Sequence, residues 1–417
     1  MIKINIQKIL RLLSDTRPQV WLFAGFLIVY VLYFIIPIFF SSQVMQFPTY
    51  VPVMRTIGGD LSQILDYSKS WAILRDTPYI GENPYPPFVA VFFTPFLFIP
   101  FSLAYKFIVF LSLLFFVLGI VFLTVQFKND SNFPFIFSFV FFTGLFSYGL
   151  HFELERGQFN LIAMFFCYMA VWVYHSHNKF RYLAYILFAL SVQLKLYPLI
   201  FIVMFVSDWK DWGRNVKRLL LLCVGNFALF FILGTKIFSD FVAALRKFML
   251  AGSVGGSHSI RAFVHMLVDL ATENNWIWMR DYSPSIQLIL LIIVLTCIFV
   301  VLVQTFKQNS GKINPQLLLA CALGASIIPS VSHDYKLPIL AGPIAVFLLE
   351  IFSVSERIEN IPFRLRLFTM VFMISIAFSA TFFSYTNKPG LFLGSNFPPL
   401  FFILLLITYY SASSQRY

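Results

Sequence analysis

Charge is what this sequence has least of. Only 12% of its 417 residues are Asp, Glu, Lys or Arg, whereas a soluble domain carries roughly 25%. With 59% hydrophobic residues and a mean hydropathy of +0.82, a soluble globule is excluded. Cysteine is also scarce: Cys167, Cys223, Cys297 and Cys321 all fall inside apolar runs, which excludes a disulfide framework and a zinc knuckle with paired spacing. The chain lacks a Walker A sequence, His-Glu-x-x-His, Gly-x-Ser-x-Gly and a Gly-x-Gly-x-x-Gly after a strand, so nucleotide-powered and zinc-hydrolase chemistry has no support. No internal repeat of the kind that builds many transporters is visible.

What the chain does have is apolar runs of crossing length. Stretches of about 17 to 25 residues span a ~30 Å hydrocarbon core as helix, and cutting at charge and turn clusters gives candidates near 20–40, 103–127, 134–150, 158–174, 182–196, 197–207, 217–234, 284–306, 314–330, 336–351, 367–384 and 397–411. The reading is an all-α integral membrane protein, a single polytopic domain over 1–417 with about twelve crossings. The run at 20–40 follows Lys3, Lys8, Arg11 and Arg17 and is too long for the core of a cleaved signal, so it is expected to stay as a signal anchor. The stretch 86–101 is short and carries Pro86, Pro87, Pro95 and Pro100, which predicts an interfacial or re-entrant segment after the first outer loop. A second interruption is expected at Lys195-Leu196-Tyr197-Pro198, because an ammonium in mid-bilayer is costly and proline follows it.

Charge asymmetry sets the expected orientation. The formal charge of +12 lies in short clusters between apolar runs, unlike the stripe that binds nucleic acid. With both termini in the cytoplasm, 17 basic and 7 acidic residues face inward and 13 basic and 11 acidic residues face outward, as the positive-inside rule requires. The absence of an organelle signal and this bias suit a bacterial inner membrane. Polar residues then gather on the outer side: in a first loop over 41–101 with interfacial helices, a polar turn at 151–160, a long loop over 235–283, and Ser332-His333-Asp334-Tyr335-Lys336.

A polar cluster at one membrane surface, bordered by aromatics, suits chemistry between a lipid-borne substrate and a second partner. Asp60 follows Gly58-Gly59 at the start of an amphipathic stretch with Leu61, Ile64, Leu65, Tyr67, Trp71 and Leu74; it is a candidate catalytic acid or merely a helix cap. Asp66 is the second candidate. His151, Glu153, Glu155, Arg156, Gln158 and Asn160 crowd together at the bilayer edge and must be paired with one another or with a ligand. Lys195, His333 and Lys336 are cations for an anionic leaving group or, alternatively, snorkelling anchors. His258 sits in a glycine-rich stretch that suits a lid or a connector.

The order of short motifs resembles a known family. An acid early in the first outer loop, Pro78-Tyr79, Tyr85-Pro86-Pro87, Gly157-Gln158-Phe159-Asn160, Lys195-Leu196-Tyr197-Pro198 and Ser332-His333-Asp334-Tyr335 follow one another as in glycosyltransferase family 87, a branch of the GT-C superfamily. Residues 256–263 are similar to an Asn-x-Ser stretch of that family's long outer loop, with Ser257 where Asn is typical. Tyr-Pro-Pro and Gln-x-Asn also look like features of the dolichol-linked glucosyltransferases.

The resemblance implies a GT-C-like bundle. It also implies an inverting transfer of a hexose, mannose as the family-level expectation, from a polyprenyl monophosphate donor to a lipid or glycan acceptor. Asp60, or else Asp66, would be the general base. Tyr85, His151, Glu153, Glu155, Arg156, Gln158, Asn160, Lys195, Tyr197, His258, His333, Asp334 and Lys336 would supply substrate-binding groups. A monophosphate leaving group demands no metal by charge count, and no other cofactor is implied. The expected partners are the donor, the acceptor and membrane lipids, with no nucleic acid. Two other classes stay open at this point: a flippase or transporter of lipid-linked sugars, which would need polar residues through the midplane, and an O-antigen polymerase or ligase-type enzyme using Arg246, Arg261 and Arg280.

Overall fold

The computed structural model describes residue 20 and residues 57–79, 83–128, 130–176, 178–206, 208–251, 257–308, 312–353, 362–378 and 397–413. The expected anchor at 20–40, apart from Val20, lies outside them. So do Lys3, Lys8, Arg11, Arg17 and the last third, 379–384, of the expected crossing at 367–384.

Among the described residues the chain is helical, with no strand. In order these are α1 (Gly59–Ala72), α2 (Phe88–Phe93) running into a 3-10 turn (Thr94–Phe98), α3 (Phe101–Thr124), α4 (Phe133–Leu145), α5 (Tyr148–Arg156), α6 (Asn160–Ser176) and α7 (Arg181–Leu194). A 3-10 segment (Tyr197–Met204) leads to α8 (Trp212–Leu229), α9 (Thr235–Ala251), α10 (Ile260–Glu273), α11 (Ser283–Gln308) and α12 (Pro315–Ile327). A last 3-10 segment (Asp334–Leu340) continues into α13 (Ala341–Phe352), followed by α14 (Phe363–Phe378) and α15 (Phe397–Ser413).

Among the described residues three helical stretches are long and apolar enough to cross a bilayer: Phe101–Phe127, Met279–Gln308 and Asp334–Phe352. The pair Phe133–Leu145 and Tyr148–Arg156, bent by 49°, makes a fourth if it is one span, and α6, α7, α12 and α15 are apolar but shorter. Only 22% of the apolar window in Met279–Gln308 is buried, and α8 leaves Leu220, Leu221, Val224 and Phe227 more than half exposed. Apolar faces that broad are solvated by lipid, not water. Trp276, Trp278 and Tyr282 are exposed at the start of α11, where interfacial aromatics are usual.

Several details depart from the sequence reading. The polar run at 151–160 is mostly helix: Ser147 Oγ accepts the Leu150 amide at 3.2 Å, and Gly157 in the left-handed region ends α5. The capping serine and terminating glycine outweigh the density of charge. The long stretch 235–283 contains two amphipathic helices, α9 and α10. The break near Lys195 is present: α7 stops at Leu194 and Lys195 is extended (φ −146°, ψ 138°) before a proline-led 3-10 segment. The stretch after Tyr85-Pro86-Pro87 is a helix of one and a half turns, a 3-10 turn and an extended Ile99 before Pro100.

Two glycines set how closely the first loop approaches the bundle. Gly58 (φ 72°) and Gly157 (φ 65°) are both left-handed, and the Gly58 amide donates to the Glu155 carbonyl at 2.7 Å. A Cβ on Gly157 would stand 2.9 Å from Leu61 Cβ and 3.6 Å from the Gly58 Cα. Gly157→Ala is therefore expected to cost about 1–2 kcal/mol from backbone strain alone, and to push α1 away from α5. Thermal unfolding of the purified protein checks this: the variant should melt below wild type, and an unchanged midpoint contradicts the close approach.

Candidate active site

The end of α7 reaches the start of α6 through Lys195 and Gln158, Tyr105 near the start of α3 donates to the Leu154 carbonyl, and α1 packs on α2, the 3-10 turn after it and α5. Asp60 sits in the first turn of α1 and is 8% exposed. It does not serve as the cap, since Gly58 holds that position. Its carboxylate instead pairs with the guanidinium of Arg156 and accepts Gln158 Nε2 at 2.6 Å. Both partners flank Gly157, so the turn that brings α1 and α5 together also delivers the cation and amide that make burial of the carboxylate tolerable.

The segment between α1 and α2 adds a phenol. Asn83 Nδ2 donates to the Pro78 carbonyl at 2.9 Å, its Oδ1 accepts the Tyr85 amide at 3.0 Å, and Tyr79 OH donates to the Tyr85 carbonyl at 3.0 Å. This knot aims the Tyr85 ring inward, where its oxygen stands 3.4 Å from Gln158 Nε2. Burial and, second, the nearby Asp60 carboxylate push the phenol well above its ordinary range, so it remains a neutral hydrogen-bond donor.

Lys195 occupies the break after α7. Its Nζ donates to Gln158 Oε1 at 3.1 Å and rests 4.3 Å from the Tyr85 ring centroid and 4.0 Å from that of Phe159. Gln158 thus has its amide nitrogen on the carboxylate and its oxygen on the ammonium. Each cation–π contact is worth about 0.5–2 kcal/mol, which helps hold a cation that is only 7% exposed.

Below this lies a second polar layer. Glu153, fully buried, accepts Asn160 Nδ2 at 2.9 Å and the Leu161 amide at 3.0 Å; it satisfies the open N-terminus of α6 from a distance. Asn160 Oδ1 accepts Tyr197 OH at 3.0 Å. The ring of Tyr197 carries Lys336 Nζ at 4.7 Å, and Lys336 also donates to the Val331 carbonyl at 2.9 Å. Lys195 and Lys336 act on each other and on Glu153 electrostatically. Among the described residues no carboxylate lies within ion-pair distance of either ammonium.

The structure does not gather all the candidates. Asp66 is exposed, on the side of α1 away from Asp60. Glu155 is half-buried in electrostatic range of Asp60 and Arg156, with one carboxyl oxygen unbonded among the described residues. His151 is half-buried on α5, and His333, also half-buried, meets Tyr335 edge-on at 5.4 Å. His258 and Asp334 face each other, Nε2 to Oδ1 at 2.9 Å, and are almost wholly buried. No cluster of His, Cys, Asp and Glu able to hold a metal occurs among the described residues.

Three contributors went unread in the sequence as site residues: Phe159 beneath Lys195, Tyr79 bracing Tyr85, and Tyr335, which lies in electrostatic range of Asp60, Tyr85 and Arg156. In a chain with 54 phenylalanines and 19 tyrosines, one more ring beside a polar motif carries no signal.

A carboxylate, a neutral phenol and two buried lysines at one end of an apolar bundle suit group transfer with an anionic leaving group. No curated protein matches the chain. A family model does, over residues 83–329, described as glycosyltransferase family 87. The match takes in Tyr85, Gln158 and Lys195 and covers more than half the chain, so the protein is a membrane glycosyltransferase and belongs to glycosyltransferase family 87.

Proposed function

We propose that this enzyme moves a hexose, mannose as first choice, from a polyprenyl monophosphate to a hydroxyl of a lipid or glycan acceptor. The site faces away from the cytoplasm, in an inner membrane crossed about twelve times with both termini inside. The observation that carries this reading is the pairing of one oriented carboxylate with two buried lysines that have no carboxylate at ion-pair distance among the described residues.

Asp60 is assigned as general base. The acceptor oxygen attacks the anomeric carbon, the bond from that carbon to the phosphate oxygen breaks, and Asp60 takes the hydroxyl proton as the new glycosidic bond forms. Arg156 and Gln158 hold the carboxylate in one orientation before the acceptor arrives, which removes part of the entropic barrier. The departing polyprenyl phosphate gains negative charge as the bond breaks. Lys195 and Lys336 are held where that charge is taken up, and Tyr85 offers a neutral hydrogen bond beside them. The short broken segment after Tyr85-Pro86-Pro87 and the exposed apolar faces of α8 and α11 fit a donor whose chain stays in lipid while its phosphate reaches the site.

Two substitutions test the assignment, with product followed by mass spectrometry from a polyprenyl monophosphate hexose. Asp60→Asn should lower turnover by about 100- to 10,000-fold, the range for loss of a general base; wild-type turnover would remove Asp60 from the mechanism. Lys195→Gln should lower turnover by about 100- to 1,000-fold, as expected where leaving-group charge loses a donor, and an unchanged rate would contradict the phosphate role. Sidedness is checked in a Cys223→Ser background, because Cys223 is the exposed native thiol among the described residues. Asp66→Cys should react with an impermeant maleimide on intact cells and Lys210→Cys only after permeabilisation. The reverse pattern places the site in the cytoplasm.

A further inference from the structure

His258 and Asp334 are buried ionisable groups with no duty in the chemistry above. They are 0% and 2% exposed, packed against each other and not turned toward Asp60 and Lys195. Their surroundings show what they do instead. Segment 257–259 is laced to segment 330–334: the His258 amide donates to the Ser332 carbonyl at 2.6 Å, the Ser332 amide to Ser257 Oγ at 2.9 Å, and Ser259 Oγ to the Ser330 carbonyl at 2.9 Å. Ser257 and His333 form an isolated antiparallel bridge. The imidazole of His258 then reaches over to Asp334, its Nε2 2.9 Å from Oδ1.

Asp334 is the first residue of the 3-10 segment Asp334–Leu340, which carries Tyr335 and Lys336. That segment is pinned on its other side by α5, where a Cβ on Gly149 would stand 2.6 Å from the Asp334 carbonyl oxygen. The Lys336 amide donates to the His333 carbonyl and its Nζ to the Val331 carbonyl, each at 2.9 Å. The position of residues 331–334 therefore sets the position of the ammonium. An apolar pair would bury as well, but it would not draw segments 257–259 and 330–334 together as the close imidazole–carboxylate approach does.

We propose that His258 and Asp334 form a positioning clasp by which residues 257–259, ahead of α10, fix the turn at 331–336 and hold Tyr335 and Lys336 against the Asp60 cluster. The consequence for turnover rests on the reading of Lys336 as a phosphate ligand; the clasp itself does not. The pair are positioning residues, acting through Lys336 and Tyr335, and are not ligands of the substrate.

The test uses the full-length protein in lipid nanodiscs, with His258→Gln, Asp334→Asn and the double variant. Hydrogen exchange of peptides covering 330–340 is read without substrate, and kcat and donor KM are read beside it. Each single variant should raise exchange in 330–340 and lower kcat/KM for the donor by about 10- to 100-fold, the scale for a small misplacement of a catalytic group. The double variant should be no worse than the worse single, because both remove one contact. Unchanged exchange overturns the clasp, as do wild-type kcat/KM despite raised exchange and single effects that multiply in the double. Should the charge-removing variants fail to fold, Ser257→Ala deletes only the hydroxyl that receives the Ser332 amide; it should move both readouts in the same direction, and no change in either overturns the proposal. A wild-type protein that transfers no hexose defeats the donor assignment, which the exchange data distinguish from failure of the clasp.

Discussion

Burying charge beside a bilayer is tolerable only when every charge has somewhere to go, and that constraint shapes this end of the molecule. The Asp60 carboxylate is shared between a guanidinium and an amide, and Glu153 between an amide side chain and a helix N-terminus. Gln158 stands between the two kinds of charge, with Asp60 on its nitrogen and Lys195 on its oxygen. The close turn at Gly58 and Gly157 makes this arrangement possible by letting the backbones of α1 and α5 approach. Packing, hydrogen bonding and site chemistry are here one structural fact seen at three scales.

The two lysines are the exception, and their treatment is informative. Each lies on an aromatic ring and donates to a neutral oxygen, contacts that partly stabilise a buried ammonium. A buried ammonium with no carboxylate at ion-pair distance among the described residues is suited to take up an anion. Under the proposed function, the group that meets these cations is the one that leaves the sugar.

Much of this was legible in the sequence, for identifiable reasons. Apolar runs and scarce charge give a helical membrane protein without ambiguity, because lipid permits few alternatives. The break at Lys195 could be read because a lysine followed by Tyr-Pro cannot continue an apolar helix cheaply. Helix α5 was hidden: Glu153, Glu155 and Arg156 read as a surface turn, since the capping Ser147 lies ahead of that run and the terminating Gly157 inside it reads equally well as a turn residue. The tie of Asp60 to Arg156 and Gln158 spans almost a hundred positions and leaves no local pattern. For the same reason spacing could not separate Asp60 from Asp66, which depends on which side of α1 meets α5. His258 and Asp334 looked like substrate ligands because both sit in polar loops; their mutual burial appears only once residues 257–259 and 330–334 lie side by side.

The most direct measurement is a structure of the enzyme in lipid with a non-transferable analogue, a polyprenyl phosphonate-linked hexose. The account predicts the phosphonate oxygens within hydrogen-bonding distance of the Lys195 and Lys336 ammoniums, and the anomeric carbon facing the Asp60 carboxylate across a gap that admits a hydroxyl. A phosphonate seated away from both lysines, with Asp60 still closed upon Arg156 and Gln158 and remote from the sugar, would contradict it.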